Sequence, residues 1–106
     1  MVSKEVSTAF EERLRKAIIT IKSSNIDYIN IGIFGSYSRG DYKATSDIDI
    51  VVIVNKLPDR NIRATLRDDL DEIGCDVTYM LKSTFENPWN EFSKVVVRDF
   101  KEIKHE

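Results

Sequence analysis

Cysteine occurs once in 106 residues, at Cys75, so neither a disulfide framework nor a thiolate metal cluster can form within the chain. Such scarcity fits a reducing cytoplasm, where thiols stay free. Long apolar runs are missing as well. No stretch approaches the roughly 20 residues needed to span a bilayer, and the N-terminal MVSKEVSTAFEERLRK lacks the continuous apolar core of a signal peptide. The expectation is a soluble cytoplasmic protein without a membrane partner. An excess of basic charge is also absent: 16 Lys and Arg stand against 18 Asp and Glu, for a formal charge of −2, and both signs are spread along the chain. Gripping a nucleic-acid backbone by counterion release needs a basic face, so stable nucleic-acid binding is not expected. The one histidine, His105, falls at the C-terminal end and reads as part of a frayed terminus. With 2 Pro and 4 Gly there is no linker, repeat or low-complexity tract, and the length suits one domain over residues 1–106.

What is present is a sequence of alternating elements. From Val6, the apolar residues Phe10, Leu14, Ala17, Ile18 and Ile21 recur three and four apart, which predicts a helix from about residue 4 to about 23, capped by Ser3. YINIGIFG reads as a short buried strand that stops at Gly35. Asp47 to Val54 reads as a second strand, and its unbroken apolar half predicts a central position covered on both faces. Ile62, Leu66, Leu70 and Ile73 form a second helical stripe with Gly74 as its stop signal, and CDVTYML is a third strand by composition and alternation. In the tail, Trp89, Phe92, Val95 and Val96 fit a helix after Pro88, and VVVRDFKEI fits equally an end in a strand, so the tail reads as helix or as helix plus strand. The order predicts an α/β or α+β sheet with helices packed against it.

The second strand carries the chemistry. Strand residues alternate faces, so Asp47 and Asp49 point one way while Ile48 and Ile50 point the other. Two carboxylates side by side repel, and each resists ionisation beside the other. A hard divalent cation such as Mg²⁺ removes that conflict. Asp76, second in the third strand, comes up beside the pair if the two strands are neighbours; the other reading makes it an exposed strand position. Three carboxylates with two Mg²⁺ ions about 4 Å apart make an in-line phosphoryl-transfer site. Gly35 lets backbone amides approach a triphosphate, SYSRG can begin a helical turn, and Ser36 adds a hydroxyl donor. Arg39 reads either as a phosphate ligand or as half of a surface ion pair; Asp41 and Lys43 read as solvated loop charges. Cys75 reads as a small buried apolar residue rather than a nucleophile, since nothing nearby would lower its pKa. Trp89 and Phe92 read as core or subunit-contact residues, with a position against an adenine as the other reading.

Gly35 and Ser36, followed after ten residues by Asp47, Ile48 and Asp49, resemble the signature of the DNA polymerase beta nucleotidyltransferase superfamily. The string GSYSRGDYKATSDIDIVV is most similar to the minimal nucleotidyltransferases, the small MntA-type antitoxins paired with HEPN toxins, and the resemblance covers nearly the whole chain. It implies a polymerase-beta-like fold, a small mixed β-sheet flanked by helices. It also implies ATP as substrate and two Mg²⁺ ions held by Asp47, Asp49 and Asp76, the third of which helps activate the acceptor. Gly35 and Ser36 are then on the triphosphate, and Arg39, by its charge, is a further candidate to bind the nucleotide. The implied activity is AMP transfer to a tyrosine of a HEPN toxin; the acceptor surface would come from a partner or a second copy, so a homo- or hetero-oligomer is open. Two rival readings stand beside it: an antitoxin that neutralises its partner by binding alone, and a small-molecule nucleotidyltransferase acting on an aminoglycoside-like hydroxyl.

Overall fold

The computed structural model describes residues 2–103, and His105 lies outside them. Helix α1 runs Lys4–Ser23, and the Ser3 hydroxyl accepts the Val6 amide at 3.2 Å, the expected N-cap. Its apolar stripe buries Phe10, Ala17, Ile18 and Ile21. Strand β1 (Asn30–Phe34) leads directly into a short helix α2 (Gly35–Arg39) and, after a loop, into β2 (Ile48–Val54). Helix α3 (Arg60–Asp71) is capped by Asp59, whose carboxylate accepts the Asn61 amide at 2.8 Å. Strand β3 (Cys75–Leu81) follows after Gly74 takes a left-handed φ of 75°, the predicted stop.

The ambiguous tail resolves into helices α4 (Lys82–Glu86) and α5 (Glu91–Asp99) and a two-residue strand β4 (Lys101–Glu102). The helix-plus-strand reading is the one that holds. Asn90 and Ser93 form a reciprocal capping box that starts α5, and the chain then extends against β1. The second strand is shorter than predicted by one residue, since β2 begins at Ile48 and Asp47 lies just before it.

The sheet order is β3-β2-β1-β4, with β1 antiparallel to β2 and β4, and β2 parallel to β3. Strand β2 is therefore central, and Ile50, Val51, Val52, Ile53 and Val54 are all buried. Ile48, Ile50, Val52 and Val54 face α1 and α3, where they meet Phe10, Ile18, Ile21, Leu66 and Leu70. Val51 and Ile53 face the opposite layer with Phe34, Met80 and Val96 under α4 and α5. Two-sided coverage explains the unbroken apolar run. Each fully buried Val or Ile of this strand contributes about 1.5–3 kcal/mol.

Candidate active site

The register places Asp49 opposite Phe34 on one side and opposite Asp76 on the other. Asp49 and Asp76 are thus direct cross-strand neighbours, as the sequence reading required. Both lie on the α4 and α5 side of the sheet, because Asp49 alternates with Val51 and Ile53, and Asp76 with Met80. Those helices cover the Val51 and Ile53 part of that face, while Asp49 stays half-buried and Asp76 exposed.

Asp47 is exposed one residue before β2, and its position depends on a braced loop. The Ser46 amide donates to the Lys43 carbonyl at 2.9 Å, and the Lys43 amide donates to the Ser46 hydroxyl at 2.9 Å. The Arg13 guanidinium lies 4.4 Å above the Phe10 ring centroid and donates to the Ser46 carbonyl at 3.3 Å. Arg13 therefore ties α1 to the residue before Asp47. Nothing in the sequence marked it, because a helical Arg reads as a solvated charge until the fold shows what it reaches.

Gly35 is required by its neighbour. Its φ is 75°, and a Cβ placed on it would run into the Asp49 carboxylate. The Asp49 carboxyl thus lies over the backbone of the Gly-Ser turn. Ser36 sits in the first turn of α2, whose N-cap position is Phe34 and supplies no side-chain capping bond. At its other end the turn closes on Gly40, whose amide donates to the Ser36 carbonyl at 3.0 Å.

Arg39 is engaged within the fold. Its Nη1 donates to Asp99 at 2.8 Å and its Nε to Asp41 at 3.2 Å. Asp99 also accepts from the Arg98 Nε at 3.0 Å, and its backbone carbonyl accepts the hydroxyl of buried Ser38. The Arg98 and Arg39 guanidiniums hold the Asp99 carboxyl below the usual carboxylate range, against the opposing effect of its burial. Asp41, one of the expected solvated loop charges, remains exposed while pairing with Arg39.

Electrostatics single out Asp49. Burial raises its carboxyl pKa first, the carboxylates of Asp76 and Asp47 raise it further, and Arg39 pulls the other way. No three His, Cys, Asp or Glu side chains among the described residues surround a common point as they stand. Asp47 and Asp76 are exposed, however, so both have rotamers open to them. Hard oxygen donors beside a carboxyl that ionises reluctantly suit a divalent cation. Cys75 is 3% exposed, and burial pushes its thiol up to about 11, with Arg13 opposing and Asp47 adding. It is a core residue, as read. Trp89 and Phe92 are not core residues: they are 74% and 51% exposed, and Phe92 stands edge-on to Phe34 at a centroid distance of 5.9 Å.

Carboxylates from adjacent strands are thus set against a glycine turn at one end of a mixed sheet. Residues 11–104 match the nucleotidyltransferase domain, and the chain belongs to that family. It is 38% identical over 71 residues to MJ0141 of Methanocaldococcus jannaschii, a candidate protein adenylyltransferase; the match covers 67% of this chain and 64% of that relative. It spans just under two thirds of that protein's length. Among solved structures, a toxin–antitoxin with AMP-PNP superposes with a TM-score of 0.62 at 27% identity, covering 83% of this chain and 69% of the other. The fold also matches a complex of tri-AMPylated Shewanella oneidensis HEPN toxin with MNT antitoxin, with a TM-score of 0.58 at 24% identity over 87% of this chain and 69% of that one.

Proposed function

We propose that this chain is a cytoplasmic, Mg²⁺-dependent nucleotidyltransferase that moves AMP from ATP to a tyrosine hydroxyl of a HEPN-type toxin, and so acts as its antitoxin. The observation that carries the reading is the pairing of Asp49 with Asp76 across neighbouring strands, with the Asp49 carboxyl lying over Gly35. Family membership and the adenylyltransferase and toxin–antitoxin relatives support it. No helix among the described residues is long and apolar enough to cross a membrane.

In this reading Gly35, Ser36 and the amides of the first turn of α2 bind the β and γ phosphates. Asp47, Asp49 and Asp76 would hold two Mg²⁺ ions, which when bound neutralise the charge gathering on the phosphates and on the departing pyrophosphate. Asp76, the exposed member, accepts or orients the acceptor's proton. The acceptor oxygen bonds to the α phosphorus, the bond from that phosphorus to the bridging oxygen breaks, and pyrophosphate leaves. Arg39, held by Asp99, contributes positive charge beside Asp49 and the nucleotide.

The test is to mix the chain with a purified HEPN partner, ATP and Mg²⁺, and weigh the partner by mass spectrometry. A gain of one or more AMP masses is expected with the native chain and none with Asp49→Asn. A tight complex without any gain in mass would refute the enzymatic reading and leave a binding antitoxin.

A further inference from the structure

We propose that Phe92 is the stacking platform for the nucleobase of the bound triphosphate and biases the chain toward purines; this rests on the nucleotidyl-transfer reading above. Trp89 and Phe92 are the only aromatic side chains among the described residues that stand exposed; the others are buried or half-buried. Phe92 is also the one tied to the site. Its ring meets the Phe34 ring at 5.9 Å and 87°. Phe34 immediately precedes Gly35, and its backbone is in register with Asp49. A single buried aromatic residue therefore separates the phosphate cradle from an open ring.

The geometry leaves that ring usable. In an edge-to-face pair, either Phe92 offers its edge and both of its faces remain clear of Phe34, or it receives an edge on one face and the other remains clear. Its 51% exposure means that water, not protein, covers much of what is left. On the opposite face of the sheet α1 and α3 close the core, so a nucleoside extending from the carboxylates has no room there. Beyond Asp47 the surface is a groove lined by charged side chains such as Glu12, Arg13 and Lys16 together with Ala9, Ala44 and Ile73, and no aromatic side chain lines it. A base one ribose away from the α phosphate finds its apolar partner on the α5 side. Stacking accepts any base but favours the larger π surface of a purine.

The experiment is calorimetric titration of the native chain and of Phe92→Ala, Phe92→Leu and Phe92→Trp with ATP, CTP and inorganic triphosphate, each with Mg²⁺. Phe92→Leu keeps an apolar group against Phe34 without a ring to stack on. Expected are ATP affinities about tenfold weaker in the Ala and Leu variants, loss of the preference for ATP over CTP, unchanged triphosphate affinity, and native behaviour in the Trp variant. Native ATP affinity in the Ala or Leu variant would overturn the platform, as would an equal loss of triphosphate affinity or failure of the Trp variant to bind ATP normally. If the native chain bound neither ATP nor triphosphate, the nucleotidyl-transfer reading would fall and the platform with it.

Discussion

Replacing Asp49 by Asn should raise the stability of the protein at neutral pH while removing its transfer activity. The structure sets the size of the effect. Asp49 and Asp76 are direct cross-strand partners, and side chains so placed have Cβ atoms about 5 Å apart. Two unit charges at that distance repel by about 0.8 kcal/mol in water and about 3 kcal/mol at an effective dielectric of about 20. Asp49 is half-buried and Asp76 exposed, so the lower part of that range applies, about 1 kcal/mol, or about 4–8 °C in melting temperature for a domain of this size. The sign follows from the raised pKa of Asp49. Its carboxyl binds protons more readily folded than unfolded, so stability falls as pH rises from the unfolded carboxylate value, about 3.9, through the folded one. Above that window the penalty is complete; below it the native chain and the Asn variant should converge. Thermal melts of both from about pH 3.5 to pH 8 measure this, repeated with Mg²⁺, which should stabilise the native chain and not the variant. An Asn variant that melts at or below the native chain at neutral pH, or a gap that does not close in acid, would refute the electrostatic account of the site.

Gly35→Ala should lower stability by at least about 1–2 kcal/mol, the cost of a left-handed residue with a Cβ, and should weaken nucleotide binding because the new methyl displaces the Asp49 carboxylate; chemical denaturation and calorimetry check the two effects separately. Cys75, with its thiol pushed up to about 11, should resist a thiol reagent at pH 8 in the folded protein and react promptly in guanidinium. The Tyr79 hydroxyl is buried without a hydrogen-bond partner among the described residues, and an unsatisfied buried group costs about 1–3 kcal/mol. Tyr79→Phe should therefore leave the denaturation midpoint unchanged or raise it.

Local patterns were enough for the frame. The stripe from Phe10 to Ile21 and the Ser3 cap set α1, and the two-sided apolar run from Ile50 to Val54 set a central strand, because both features are written within one element. Alternation within one strand put Asp47 and Asp49 on one face, whereas the place of Asp76 hung on which strands are neighbours, and the parallel register sets it directly beside Asp49. What escaped depends on contacts between distant residues. Arg13 reaches Ser46 across 33 positions, and Arg39 reaches Asp99 across 60. Asp99 drew no notice in the sequence, yet its side chain is 4% exposed and it accepts from two arginines. Whether Arg39 was a free phosphate ligand or an ion pair could not be read without knowing where α5 ends. The exposure of Trp89 and Phe92 was hidden for the same reason, since an aromatic at helical spacing looks like a core residue until the face it occupies is known.

Those long-range ties explain how so small a turn holds its shape. Helix α2 has five residues, too few to be stable alone. It is fastened to the end of α5 by the Ser38 hydroxyl on the Asp99 carbonyl and by Arg39 on the Asp99 carboxylate. On the other side Arg13 braces the residue before Asp47. The strained parts, a left-handed glycine under a carboxyl group and like charges on adjacent strands, are thus confined to one end of the sheet. The rest of β2, fully packed from Ile50 to Val54, offsets a repulsion of about 1 kcal/mol several times over, since each buried side chain contributes about 1.5–3 kcal/mol. The strand that stabilises the fold is the one that carries the cost of the site, and its packing lets the like charges of Asp49 and Asp76 stand side by side.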